Sequence, residues 1–198
     1  MSKTSYKFRK TGKVQSMKAV MDTSSLLAFV NYYLPFDKSG KLKAFFKEKF
    51  DNGDIIVIDR IHDEAKLLQK GIILNVLEFL AKKSDLTKTT ELLPPRSFFN
   101  LVENQFCNKQ LVKLKGLTDA EFESEKTKFL NGVDANLVLY AQQNPHLNPV
   151  VVTEESAYAN DNKVFKKIPA NCQVTGIKCC TLPELFTNHF GVNIQDLL

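Results

Sequence analysis

Three short apolar runs recur along the chain, and each ends in polar or acidic residues. The first covers Met17–Met21 and stops at Asp22, with Thr23, Ser24 and Ser25 turning into a second apolar stretch. The second, Ile55-Ile56-Val57-Ile58, is a continuous β-branched run of the kind found in strands buried on both faces. The third, Val150-Val151-Val152, follows Pro149 and ends in Thr153-Glu154-Glu155. Between the first two, apolar residues return at helical spacing. Ser25–Tyr33 predicts a helix closed by Pro35. Lys41–Phe50 predicts an amphipathic helix with Leu42, Phe45, Phe46 and Phe50 on one side. Asn52-Gly53 marks a turn, and Asp59 opens a helix directly after the second strand. Strand, helix, helix, strand, helix is the grammar of a parallel α/β sheet.

Residues 71–132 carry no strand pattern. Gly71–Lys82 reads as helix, Lys83–Glu91 as a polar connection before Pro94-Pro95, and Arg96–Phe106 and Leu111–Leu114 as further helical pieces. Thr118 and Glu121 have the spacing of a capping box and predict a helix to about Leu130. This block is expected to be a helical insertion or arm on the sheet. Sheet character returns after Gly132: Asp134–Ala141 predicts a helix, and residues 156–170 a loop. Val174–Thr181 predicts a last strand after the Gly176 turn, and Pro183 the start of a C-terminal helix to about His189.

The chain has 198 residues, 43% hydrophobic and 25% charged, which suits one well-buried core. Residues 1–16 hold Lys3, Lys7, Arg9, Lys10 and Lys13 and no acid, a charge equal to the net +5 of the whole chain. They are expected to form a flexible basic extension, with residues 17–198 as a single domain. A basic tail attracts polyanions, although a solvated appendage explains it as well. No apolar run approaches the roughly 18 residues that suggest a membrane span, and the N-terminal stretch lacks the apolar core of a secretory signal. The four cysteines, Cys107, Cys172, Cys179 and Cys180, show no paired metal spacing. They read as reduced thiols of a cytoplasmic protein, with one of the adjacent pair Cys179/Cys180 facing the core.

The acids give the chain its candidate chemistry. Asp22 ends one strand, Glu64 lies a helical turn past another, Asp134 opens a helix, and Glu154/Glu155 follow the third. In a parallel sheet all of these fall at the carboxyl edge, where ligands of open α/β sheets bind. Crowded carboxylates repel one another and raise each other's pKa. A hard divalent cation with oxygen ligands, Mg²⁺ or Mn²⁺ rather than zinc, relieves that repulsion. Such an ion suits hydrolysis of a phosphodiester. Each acid also has a plainer reading. Asp22 serves as a helix N-cap, Asp134 sits well at a helix N-terminus, Asp63 and Glu64 lie on a solvated face, and the two glutamates decorate a turn.

The order of these segments resembles the PIN-domain ribonucleases. Asp22-Thr23-Ser24-Ser25-Leu26-Leu27 is similar to the family's opening "D-T-N/S-x-L-L". Ile56–Ile58 through Asp63-Glu64 is similar to its second segment, Asp134-Ala135 to its third, and Val151-Val152-Thr153-Glu154-Glu155 to its fourth. The ending Lys167–Cys172 is similar to a subgroup of PIN-like proteins. The resemblance implies a three-layer α/β/α fold with a central parallel sheet of about four or five strands. It implies an endoribonuclease that uses Mg²⁺ or Mn²⁺ to activate water and leaves a 5′-phosphate and a 3′-hydroxyl. Asp22, Glu64, Asp134 and Glu155 would be the catalytic and metal-binding carboxylates, Ser24 a supporting hydroxyl, and Glu154 or Asp161 alternatives for the fourth acid. Some members are toxins of type II toxin–antitoxin pairs, so RNA, an antitoxin protein and a homodimer are the candidate partners. Two other readings share the fold: a catalytically silent RNA-binding or scaffold module, and a structure-specific DNA nuclease.

Overall fold

In the computed structural model, residues 17–156 and 162–198 are described. The basic extension 1–16 and the alternative acid Asp161 lie outside the described residues. Four strands form one sheet: β1 (Lys18–Met21), β2 (Ile55–Ile56), β3 (Pro149–Val152) and β4 (Lys178–Cys180). Their order is β2-β1-β3-β4, and every pairing is parallel. Register is fixed by Val20↔Ile56, Val20↔Val151 and Val151↔Cys179. Successive strand residues point to opposite faces. Because Ala19, Val20 and Met21 are all fully buried, as are Val151 and Val152, both faces of the central strands must be covered. The sheet is therefore the middle layer of an α/β/α arrangement.

The helices that complete it are α1 (Thr23–Ala28), α2 (Lys41–Asp51), α3 (Asp59–Leu67), α4 (Ile72–Val76), α5 (Arg96–Leu101), α6 (Lys109–Leu114), α7 (Asp119–Asn131), α8 (Val133–Gln143), α9 (Ile168–Thr175) and α10 (Leu182–Glu184). Three of them, α1, α5 and α10, run on into π-helical turns at Phe29–Tyr33, Val102–Phe106 and Leu185–His189. Aromatic stacking ties these pieces together. Phe29 lies 4.4 Å from Phe46 between ring centres, and Phe129 lies 4.6 Å from Phe165. The second contact joins α7 to the segment before α9, and Phe98, Val102 and Phe106 share one apolar cluster with the sheet. The helical block 71–132 thus packs into the same core as the strands.

Several elements differ from the sequence reading. Ladder pairing in the second strand stops at Ile56, because Val57 and Asp59 bond instead to Thr87: Thr87 N–H donates to Val57 O, and Asp59 N–H to Thr87 O, both at 2.9 Å. The helix expected over 71–82 breaks at Leu77, whose φ/ψ of −101°/68° is not helical. The loop expected to run to 170 ends earlier, since α9 begins at Ile168. Gly176, at φ 70°, is the left-handed cap of α9, so β4 starts only at Lys178.

The capping box at α7 is formed in both directions. Thr118 Oγ1 accepts from Glu121 N–H at 3.3 Å, and Thr118 N–H donates to the Glu121 carboxylate at 2.9 Å. Thr118→Ala is expected to lower unfolding free energy by about 1 kcal/mol, the usual worth of an N-cap, as read by urea denaturation.

Candidate acidic site at the carboxyl edge of the sheet

Asp22 follows the last residue of β1. Its backbone continues the sheet, with N–H donating to Val152 O at 2.9 Å, while its side chain is 5% exposed. One oxygen, Oδ1, caps α1 by accepting Thr23 N–H at 2.7 Å. The other, Oδ2, accepts the Ser24 hydroxyl at 2.5 Å and the Thr153 hydroxyl at 2.8 Å. Capping and facing the site are therefore both true of Asp22, one for each oxygen.

Thr153 stands in the equivalent place after β3, with its N–H donating to Cys180 O at 3.0 Å. Its hydroxyl also accepts Glu155 N–H at 3.2 Å, and Ser24 Oγ accepts Glu154 N–H at 3.1 Å. These contacts lock the turn after β3 onto the turn after β1 and separate the two glutamates. Glu154 reaches away and accepts Leu182 N–H at 2.7 Å at the start of α10. Glu155 accepts Ile168 N–H at 3.1 Å at the start of α9, where the helix end favours a negative charge.

Glu64 and its neighbour Asp63 diverge as adjacent helical residues must. The Glu64 carboxylate accepts a short hydrogen bond from the Thr23 hydroxyl, which joins α3 to α1. Asp63 pairs with Lys83 at 2.6 Å on the surface, and that bond holds its carboxyl below the usual range. Asp134 sits in the first turn of α8.

Electrostatics show that the four acids share one neighbourhood. Burial raises Asp134, followed by the charges of Glu155, Asp22 and Glu64, until its carboxyl is pushed up to about 7 despite the opposing Lys163. Glu155 is also raised, first by burial and then by Asp22, against the pull of Ile168 N–H, Lys163 and Lys167. An open cleft of about 480 Å³ has Glu64 and Asp134 on its wall, along with Lys115, Lys128, Lys163 and Phe129. The sheet edge thus gathers Asp22, Glu64, Asp134 and Glu155. Glu154 and Asp63 are turned to other partners.

Sequence reasoning missed the hydroxyls of Thr23 and Thr153, which donate to two of the acids. The position of each directly after a strand or its acid was the available signal. It also passed over the N-terminus of α9, although Pro169 in the second helical position is a start signal. His62 is a packing residue: it is 4% exposed, and its Nε2–H donates to Ala81 O at 2.9 Å.

The acids supply oxygen donors only, in a half-buried setting that disfavours their joint ionisation, and this suits a hard divalent cation. Among the described residues, no three His, Cys, Asp or Glu side chains are already disposed around one point to hold an ion. Asp22 Oδ2, Glu64 and Glu155 are instead engaged by hydroxyl or amide donors, so ion binding requires those bonds to be exchanged.

Fold and site define a parallel α/β protein with a group of acids at the carboxyl edge of its sheet, two of them, Glu64 and Asp134, on the wall of a cleft that also carries lysines. A family model described as "Domain of unknown function (DUF4411)" matches residues 20–190, and the chain belongs to that family. No curated protein and no solved structure matches it. Among the described residues, no helix is long and apolar enough to cross a membrane.

Proposed function

We propose that the chain is a Mg²⁺- or Mn²⁺-dependent endoribonuclease of PIN type, acting on RNA through metal-activated water. The observation that carries this reading is the convergence of Asp22, Glu64, Asp134 and Glu155 from four separate elements, with the Asp134 carboxyl raised first by burial and then by the other three acids. Loaded with such an ion, the site would supply a water of lowered pKa and neutralise charge on the scissile phosphate. Asp22, Glu64, Asp134 and Glu155 would hold the ion. Ser24 and Thr153 fix the Asp22 carboxylate from one side. Lys163, whose charge opposes the raised pKa of both Asp134 and Glu155, is placed to offset substrate phosphate in the cleft. An antitoxin as inhibitor and a homodimer as the working form belong to the same proposal.

The hydroxyl and amide bonds already made by Asp22, Glu64 and Glu155 favour a second reading, a module that kept the fold and binds RNA without cutting it. Titrating the purified protein with Mn²⁺, while following thermal unfolding and the cleavage of matched RNA and DNA strands, separates the readings. The nuclease is expected to gain thermal stability with Mn²⁺ and to cut the RNA. No Mn²⁺ response and no cleavage would favour the silent module, and cleavage confined to DNA would replace the RNA assignment.

The hydroxyl shell makes a further expectation. Thr153→Val removes a donor to Asp22 and an acceptor for Glu155 N–H. It should weaken apparent Mn²⁺ affinity about tenfold, the low end for outer-shell losses at metal sites, in the same thermal titration.

A further inference from the structure

The helical block 71–132 builds part of the cleft beside the acids. Lys128 and Phe129 come from α7, Lys115 caps the C-terminal end of α6, and Lys163 and Phe165 come from the segment before α9. That segment is strapped to the block by an antiparallel bridge between Cys107 and Phe165. Asn108 N–H donates to Val164 O and Lys166 N–H to Phe106 O, each at 2.8 Å, and Lys115 Nζ donates to Asn162 O at 2.5 Å. The start of α8, with Asp134, lines the same cleft.

Two features of this lining are not needed to hold a cation. The first is the three lysines, which come from three separate segments. Lys128 pairs with Glu125 at 2.7 Å, but its side chain is 70% exposed, so the pair is weak and a phosphate can compete for the ammonium. The second is a stack of rings. Phe165 lies between Phe122, at 6.1 Å and 26°, and Phe129, at 4.6 Å and 15°. Phe106 meets Phe129 edge-on at 73°, and among the described residues no further ring stacks on it. Core packing accounts for Phe165, which is buried. Phe129 is half-buried, stands on the cleft wall and ends the stack.

We propose that this cleft is a subsite for one unpaired nucleotide of a single-stranded RNA, with the base stacked on Phe129 and the backbone phosphates against Lys115, Lys128 and Lys163. The subsite rests on the RNA reading of this sheet edge given above, and it applies whether the strand is cut or only bound. The cleft measures about 480 Å³, within the roughly 300–1,000 Å³ of small-ligand sites, which suits a nucleotide and not a duplex. Bases of a duplex are stacked on one another, so only an unpaired base can offer its face to a protein ring. Stacking of this kind tolerates every base, so the lysines and Phe129 select for an unpaired strand and not for its sequence.

The test measures binding of a fluorescein-labelled single-stranded RNA to the full chain by fluorescence polarisation, with EDTA and again with Ca²⁺. Lys115→Gln and Lys128→Gln each remove a charge and keep a polar donor. Each should flatten the slope of log affinity against log salt by about 0.7, the share of one phosphate contact on a single strand. Lys47→Gln, on α2 and paired with Asp51, should leave the slope unchanged. Phe129→Leu keeps an apolar side chain and should weaken binding about tenfold with the slope unaltered; its melting curve checks that it folds, and the lysine variants decide if it does not. The single strand should bind at least about tenfold tighter than a duplex of the same sequence. Equal affinity for the duplex, slopes unchanged in both lysine variants, a folded Phe129→Leu that binds like the parent, or no RNA binding in either buffer would each overturn the subsite. Cleavage with Mn²⁺ is scored separately. RNA cut by a protein whose lysine variants bind unchanged removes the subsite and leaves the nuclease standing, whereas flattened slopes without cleavage do the reverse.

Discussion

Asp22→Asn is expected to reduce Mn²⁺-supported RNA cleavage by more than about 100-fold, past the upper end of what outer-shell losses cost at metal sites. The amide keeps the size and shape of this residue and one of its two acceptor oxygens. Asn caps helices as well as Asp does, and its carbonyl can still accept from Thr23 N–H or from the Ser24 and Thr153 hydroxyls. The negative charge and one acceptor oxygen are lost, so a folded but inactive protein shows that the carboxylate itself is required. Asp134→Ala should be equally inactive. It also removes a group whose ionisation is disfavoured by burial and by Glu155, Asp22 and Glu64, and therefore should not unfold the chain. Initial rates on a single-stranded RNA at fixed Mn²⁺ check both variants. Retained activity in either would mean that the ligand set is wrong.

The second large effect concerns stability. Asp134 has its carboxyl pushed up to about 7 by burial and by three neighbouring acids. A carboxyl raised in the folded state holds its proton more tightly there than in the unfolded chain. Its contribution therefore disfavours folding progressively as pH rises from about 4 to about 7, and fully above that. Asp134→Asn removes the charge and should raise the melting temperature at pH 8 without divalent metal. A shift of this size corresponds to at most about 4 kcal/mol, or at most roughly 8–16 °C for a chain of this length. Near pH 4 the variant and the parent should melt together. With Mn²⁺ at pH 8 the parent should recover and the variant should not, because a bound cation offsets the repulsion only where the carboxylate is present. Equal melting temperatures across the whole range would show that Asp134 carries no such penalty.

How much of this was legible beforehand depended on whether the cause was local. β1 and β3 were visible because both faces of each are buried, which writes an unbroken apolar run ending at Asp22 and Thr153. The α7 capping box was visible because Thr118 and Glu121 bond each other. The second strand was read two residues too long because the partner that ends its ladder, Thr87, lies in a segment with no strand pattern of its own. The break at Leu77 carries no proline or glycine to announce it. The acids could be ordered by their places after strands. Glu155 was preferred to Glu154 only through the family resemblance, since the turn that parts them is decided by Ser24 and Leu182, residues remote in sequence.

The central pair of the sheet joins Lys18–Met21 to Pro149–Val152, the first strand of the described chain to the third. Contacts so distant along the chain form late, after most of the polypeptide is available. During synthesis the segment carrying Asp22, Glu64 and Asp134 leaves the ribosome without the strand that brings Thr153 and Glu155 beside them. A nascent or truncated chain ending before β3 therefore has no assembled pocket. Whatever activity the protein has begins only after β3 has been made and has paired with β1.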